Sequence, residues 1–409
     1  MAWISQTAGL LSDSVAHHRP HFPLVAVTGI SFTLGFVLSS LLQKRVAERG
    51  VFSSPRDRVL LQSDSETSTL PLPPDVLPGA RDVPSPYGSI RVYEWGPEDG
   101  HKVLFVHGIT TPCIALGGVA HALADRGCRV MLFDLFGRGY SDCPTDLPQD
   151  DRLFSTQILL ALNSSPIAWT GQGSGNFSLV GYSLGGGIAA AFASAFPHLL
   201  SSLVLLAPAG LIRDSQISFS SRLLYSNGLV PESVLGYLVG RRLRAGPLIK
   251  PKHTKLSASD ALAEELPSQP AANTTNTQIL SRAYPHITVP ETVRWQVNNH
   301  AGFVHAFMSS MRHGPILQQR QWASWSRLGE FLSSQRTLPP AEQRARGLPS
   351  DKVLILCGSN DVLILKDELC EDAATALKGN VQFEYIDAGH EFPSTKYEEV
   401  AQYVWDLLQ

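Results

Sequence analysis

Charge is what this sequence has least of. Asp, Glu, Lys and Arg make up 17% of its 409 residues, against roughly a quarter in ordinary soluble domains, so some stretches must lie where charge is disfavoured. The 33 basic and 36 acidic side chains nearly cancel, which removes the basic excess that tracking a phosphate backbone requires and argues against nucleic acid as a partner. Cysteine is scarce too. Cys113, Cys128, Cys143, Cys357 and Cys370 form an odd set with no C-x-x-C pair and no Cys/His ligand spacing, so neither a disulfide framework nor a metal site is indicated. Cys128 and Cys357 sit in apolar runs and read as small core residues. A G-x-x-x-x-G-K-[ST] loop is missing, and Gly171, Gly173 and Gly175 fall before a strand-like run rather than after one. No nucleotide cofactor is expected.

The shortage of charge is concentrated near the N-terminus, where the 24 residues between Arg19 and Lys44 carry none. Within that gap residues 22–42 (FPLVAVTGISFTLGFVLSSLL) have the length, about 20 residues, at which a helix crosses a bilayer core. Their hydroxyls and glycines are compatible with lipid, because a helical hydroxyl bonds back to the preceding turn and small residues permit packing. A cleaved signal peptide fits less well, lacking a short apolar region and an A-x-A-like exit. The basic residues Lys44, Arg45, Arg49, Arg56 and Arg58 all follow the segment, which by the positive-inside bias puts the rest of the chain in the cytosol. The expectation is a single-pass membrane anchor, such as one in an endomembrane, preceded by a tail at 1–21.

Residues 43–86 are rich in Ser, Pro and Asp and read as an extended tether. From residue 87 short apolar runs alternate with helix-length segments. Strands are expected at 89–94, 103–107, 129–134, 177–181, 203–207, 353–357 and 381–386, with helices at 115–126, 184–196, 366–377 and 395–408. Several strand runs are continuously apolar, as in parallel sheets buried on both faces. The alternation implies an α/β fold. One interval, 211–348, breaks the rhythm and reads as an insertion between two parts of a core, 87–210 and 349–409. It holds an expected helix at 293–312.

The strongest chemical signal is Gly181-Tyr182-Ser183-Leu184-Gly185, a G-x-S-x-G run between an apolar strand and a helix of small residues. A serine at such a turn stands above the sheet edge only if Gly181 and Gly185 lack the Cβ atoms that would clash across the bend. Serine is a poor nucleophile unaided, so a base and an orienting carboxylate should follow it. His390, in DAGHEF, and Asp361, in GSND, both come just after strand runs, at the edge where open α/β sheets place their sites. Asp387 and Glu384 compete with Asp361 for the acid role. Acyl transfer also needs two N–H donors for an oxyanion; the amides of Leu184 and of Ile109, beside Gly108 in HGIT, are the candidates. His107, directly before Gly108, reads as a loop brace rather than the base.

Taken together and in this order, HGITT, DLFGRGYSD, GYSLGGG, GSND and DAGHEF resemble the α/β-hydrolase fold superfamily. The resemblance covers about residues 87–409 and implies a mostly parallel eight-stranded sheet with helices on both faces. It also implies a Ser183/Asp361/His390 triad, Ile109 and Leu184 as oxyanion donors, and a variable cap at 211–348. Serine at the elbow argues against the branches that place aspartate there. The anchor and the PAGLI run at 208–212 are similar to membrane-anchored monoacylglycerol lipases. An apolar or lipid ester is therefore the expected substrate. A thioesterase, a small-molecule esterase, a carbon–carbon bond hydrolase and a non-catalytic interaction module are the alternatives. Arg241, Arg242, Arg244, Lys250, Lys252 and Lys255 could face anionic lipid but also suit a solvated face. His300, His305 and His313 read as structural. Phe303, Val304, Phe307, Met308 and Met311 fit core or acyl pocket equally. N-x-S/T triplets stand at Asn163, Asn176 and Asn273; with a cytosolic domain, expression in a eukaryotic host leaves Asn273 without a glycan, and a mass shift reversed by a glycosidase would reverse the topology.

Overall fold

The structure, a computed structural model, describes residue 35 and residues 50–171, 176–217, 232–244 and 279–409. The chain divides into two units, Met1–Gly50 and Val51–Gln409. The span expected at 22–42 lies outside the described residues apart from Gly35. Among the described residues no helix is long and apolar enough to cross a membrane.

Among the described residues of the second unit ten strands occur in the order β1 (Val51–Phe52), β2 (Arg81–Val83), β3 (Ile90–Trp95), β4 (Lys102–Val106), β5 (Arg129–Phe133), β6 (Cys143–Pro144), β7 (Phe177–Tyr182), β8 (Leu200–Leu206), β9 (Val353–Gly358) and β10 (Gln382–Ile386). Eight of them form one sheet in the order β10-β9-β8-β7-β4-β5-β3-β2. β3 runs antiparallel to both its neighbours, β5 and β2, and the other pairs of this sheet are parallel. The expected α/β-hydrolase architecture, a mostly parallel sheet, is therefore present. Every residue of β7 is buried, and since successive side chains point to opposite faces, both faces of the sheet are covered.

The helices that bear on the site are α1 (Gly117–Asp125), α2 (Asp151–Asn163), α3 (Leu184–Ala195), α4 (Glu232–Arg244), α5 (Val289–Asn299), α6 (Phe303–His313), α7 (Gln318–Gln335), α8 (Lys366–Ala376) and α9 (Tyr397–Leu408). They fall into two packed groups: α3 lies against α2 and α7, with α8 beyond α7, while α1 lies against α9. At β4 the strand order reverses, with β5 on one side and β7 on the other. A crevice outside the carboxyl ends of those strands is where an open α/β sheet admits a ligand.

Three features depart from the sequence reading. The segment expected as a tether is partly packed: Val59, Leu72, Val76 and Leu77 are buried, and β2 adds the eighth strand by pairing with β3. Its Arg81-Asp82-Val83 sequence is short and charged, as suits a sheet edge that must not recruit another chain. The helix expected at 293–312 is two helices. His300 leaves the helix in an extended conformation, its Nε2 donates to Ser141 O at 2.8 Å and its Nδ1 accepts from Gly302 N at 3.0 Å. A side chain at position 302 would meet Cys143 Cβ at 2.4 Å, so the bend brings α5 and α6 down onto the loop around β6. The short β1 and β6 pair with each other apart from the main sheet.

All five cysteines are free, and four of them are buried, Cys128 and Cys357 among them. The stripe of the expected long helix belongs to the core: Phe303, Phe307 and Met308 are buried, and Val304 and Met311 pack against them. Arg241, Arg242 and Arg244 are exposed on α4; Lys250, Lys252 and Lys255 lie outside the described residues.

A buried carboxylate joins β3, β5 and the segment after α2. The Glu94 side chain is fully buried and ion-paired with Arg81 at 2.7 Å and Arg129 at 3.0 Å; it accepts from Ser165 at 2.7 Å and Trp169 at 3.2 Å. Burial alone would raise its pKa; the Ser165 and Trp169 hydrogen bonds and the two guanidinium charges outweigh burial and hold it below 4.5. A carboxylate with a depressed folded-state pKa stabilises the fold above its unfolded pKa, and this contribution disappears as pH falls through the folded value. Glu94→Ala is expected to cost about 3 kcal/mol at pH 7 by leaving Arg129 uncompensated. Urea melts should show the gap between wild type and variant closing only below pH 4.5.

Candidate active site

Ser183 sits between β7 and α3 with φ 54° and ψ −118°, a conformation that non-glycine residues adopt at a cost of about 1–3 kcal/mol. The surrounding backbone holds it there. Ser183 N donates to Leu206 O at 2.9 Å, and Ser183 O accepts from Gly186 N at 2.9 Å and Ala209 N at 2.8 Å. The two glycines of the motif are required by contact. A Cβ at 181 would lie 2.3 Å from Gly185 O, and one at 185 would lie 2.1 Å from Val106 O. The turn is thus pressed against the end of β4, leaving the Ser183 side chain the direction away from the sheet.

His390 Nε2 lies 3.0 Å from Ser183 Oγ, and His390 Nδ1 lies 2.7 Å from Asp361 Oδ2. An ionised carboxylate only accepts, so Nδ1 carries the proton and Nε2 faces the hydroxyl as an acceptor. The other oxygen of Asp361, Oδ1, accepts from the amides of Leu363 at 2.8 Å and Ile364 at 2.9 Å, which fixes the carboxylate plane. Tyr182 donates its hydroxyl to His390 O at 3.1 Å, and its ring lies beside the imidazole at a centroid distance of 5.2 Å. The imidazole is fully buried and the Asp361 side chain nearly so. At such low solvation the alignment of dipoles acts with little screening.

Of the rival carboxylates, Asp387 is exposed and accepts from Asn360 Nδ2 at 3.0 Å, while Glu384 is half-buried within β10. Asp361 is the carboxylate placed against His390.

The loop after β4 carries the remaining candidates. His107 is fully buried; its Nε2 accepts from Leu135 N at 2.8 Å and its Nδ1 therefore donates to Gly108 O at 2.8 Å. Burial, and after it the charge of Arg138, lowers its pKa to about 3, so it is neutral at physiological pH. This is the brace expected from sequence. Because a trans peptide holds C=O and N–H antiparallel, fixing Gly108 O also fixes the direction of the Ile109 N–H. Leu184 is the first residue of α3, where the amide has no acceptor within the helix and the helix dipole is positive.

Residues that the sequence reading did not single out complete the surroundings. Asp134, buried at the end of β5, accepts from Cys113 N and Tyr140 N, each at 3.0 Å. It thereby joins the loop after β4 to the turn after β5. Arg138, Gln149 and Gln296 are buried in the same region. Only Arg138 carries a sequence signal, a charge inside the glycine-rich FGRGY run; Gln149 and Gln296 stand in polar stretches that give none.

A family profile described as the alpha/beta hydrolase fold matches residues 102–397. The chain belongs to that family. A serine hydrolase-like protein of Dictyostelium discoideum is 29% identical over 129 residues, covering 31% of this chain and 34% of that protein. Lipase LipV of Mycobacterium tuberculosis is 30% identical over 130 residues, 31% of this chain and 45% of the lipase. The chain thus matches less than half the length of these relatives. Among solved structures, a bromoperoxidase from Bacillus anthracis superposes with a TM-score of 0.52 at 14% identity, covering 80% of this chain and 99% of that one. A 2-hydroxy-6-oxo-6-phenylhexa-2,4-dienoate hydrolase from Rhodococcus sp. strain RHA1 gives 0.52 at 16% identity, with 80% and 98% covered. At such identities the likeness concerns the fold. Family and relatives together support a hydrolase.

With Asp361 alone against the imidazole among the three rival carboxylates, Asp361→Asn should lower hydrolytic turnover by roughly 10³- to 10⁴-fold by removing the partner that sets the histidine tautomer. Asp387→Asn should change it by less than about threefold, read from kcat on an activated ester.

Proposed function

We propose that the protein is a serine hydrolase that cleaves carboxylic esters of apolar substrates, acylglycerol-like lipids above all, through an acyl-enzyme. In this reading Ser183 is the nucleophile, His390 the general base and then acid, and Asp361 the residue that orients and stabilises the imidazolium. His390 Nε2 takes the hydroxyl proton as Ser183 Oγ attacks the ester carbonyl. The tetrahedral oxyanion is received by the amides of Ile109 and Leu184. The alcohol leaves with the proton returned by His390, and a water activated by the same imidazole then hydrolyses the acyl-enzyme.

The observation that carries the reading is the pair of contacts from one buried imidazole, 3.0 Å to Ser183 Oγ and 2.7 Å to Asp361 Oδ2, at a serine held in a strained backbone. The lipase and the serine hydrolase-like protein among the relatives support ester chemistry. The lipid preference rests on the uncharged segment at 22–42, which in this reading anchors the domain to a membrane and raises the local concentration of substrates that partition there.

Labelling with a fluorophosphonate probe tests the assignment. Wild type should label and Ser183→Ala should not; equal labelling of both overturns Ser183 as nucleophile. A comparison of long-chain monoacylglycerol with short-chain water-soluble esters then tests the substrate class, with higher kcat/KM expected for the lipid.

A further inference from the structure

The turn after β5 contains Gly137-Arg138-Gly139, and the Arg138 side chain is wholly buried. A guanidinium cannot shed its proton, so burial is tolerable only where its donors meet acceptors in the plane of the fork. They do so in four different parts of the molecule. Nε donates to Ile109 O at 3.1 Å, Nη1 to Phe136 O at 2.9 Å and to Gln149 Oε1, and Nη2 to Ser310 Oγ at 2.9 Å. Ile109 belongs to the loop after β4, Phe136 to the arginine's own turn, Gln149 to the segment before α2, and Ser310 to α6, in the insertion between β8 and β9. The turn is drawn in tightly: a Cβ at 137 would lie 2.3 Å from Ala306 Cβ on the same helix.

A second tie runs beside the first. Gln296, buried on α5, donates its amide to Thr110 O and accepts from Gly139 N at 3.0 Å. Ser309 on α6 accepts from Gln149 N at 3.0 Å, and Ser310 donates to Gln149 Oε1 at 3.1 Å. Two successive carbonyls of the loop, those of Ile109 and Thr110, are therefore gripped by Arg138 and by a side chain of the insertion. The preceding carbonyl, that of Gly108, is gripped by His107. Three consecutive peptide planes are fixed by side chains buried in three different elements.

From this geometry we infer that Arg138 is a positioning residue for oxyanion stabilisation: by holding Ile109 O it fixes the peptide plane that follows Ile109 and clasps the Ile109–Thr110 loop to α5 and α6, so that the preceding plane, which carries the Ile109 N–H and is held by His107 through Gly108 O, cannot swing away from the site when those helices are seated. The inference rests on the reading of Ser183 as nucleophile and Ile109 as oxyanion donor. It adds that the insertion takes part in aligning the site, through hydrogen bonds that end on the loop rather than on the substrate. Arginine is required for its shape: a lysine keeps the charge but is a single point donor group that cannot reach the loop, the turn and α6 together.

The test compares the full chain with Arg138→Gln, Arg138→Lys and Ser310→Ala. Three quantities are read: kcat and KM on an activated ester, the inhibition constant of a trifluoromethyl ketone, which adds the serine to give a tetrahedral oxyanion, and the melting temperature. Loss of one oxyanion donor costs roughly 10²–10³ in kcat. Misaiming it through Arg138→Gln should cost about 10- to 100-fold in kcat, with KM within about twofold and ketone affinity falling in parallel with kcat/KM. Arg138→Lys should not restore either, and Ser310→Ala should shift both in the same direction by less. A folded Arg138→Gln protein with unchanged kcat and ketone affinity overturns the proposal, as does a fall in kcat with ketone affinity unchanged. Should Arg138→Gln fail to fold, Ser310→Ala and Gln296→Leu decide: unchanged ketone affinity in both overturns it. Failure of the underlying reading shows separately, as full turnover in Ser183→Ala.

Discussion

The site depends on one close approach, that of the β7–α3 turn to the end of β4. At Gly185 the space a Cβ would need is already taken by Val106 O, and at Gly181 by the carbonyl of Gly185 itself. Because the two strands are neighbours in the sheet, the turn has nowhere to relax, and the backbone at Ser183 is driven to positive φ. That constraint sets the height of the hydroxyl above the sheet. It also decides where a histidine must come from to meet it, namely the loop after β10, two strands beyond β8 at the far edge of the sheet. Reach across the sheet is possible because β8, β9 and β10 run parallel to β7 and release their loops at the same edge.

The chemistry-bearing part of the site was legible in sequence because each residue carries a local signature that tertiary packing does not override. Ser183 is flanked by the glycines its turn needs, Asp361 follows the apolar run that becomes β9, and His390 follows the alternating run that becomes β10. The strands buried on both faces were legible for the same reason: a run such as Phe177–Tyr182 has no solvent face to break its apolarity. The sequence favours Asp361 over Asp387 and Glu384 by its place after β9, while the contact that separates them is tertiary: Glu384 lies within β10 and Asp387 is exposed beyond its end.

What composition concealed are elements whose structure is imposed by neighbours. Strand β2 is three residues, two of them charged; its ladder with β3 and the Asp82–Arg91 ion pair at 2.8 Å hold it in place, and neither is visible from within the segment. The proline- and serine-rich stretch around it reads as a tether by composition, yet Leu72, Val76 and Leu77 bury against the core. The break between α5 and α6 is set by contacts of His300 with Ser141 and of Gly302 with Cys143, over a sequence separation that periodicity cannot sense. Arg138 is the extreme case: read alone it is a surface charge, and only the convergence of the loop after β4 and α6 turns it into a buried one.

In the proposed reading of Ser183 as nucleophile, its backbone sets stability and activity against each other at a single residue. With φ 54° and ψ −118°, position 183 is one where glycine would rest without strain and every other small side chain, alanine included, inherits it. Selection for a more robust fold alone would therefore drift this position toward glycine and silence it. A serine there is a residue the fold resists, and its presence in an otherwise relaxed helix start marks the turn as shaped by a demand other than stability.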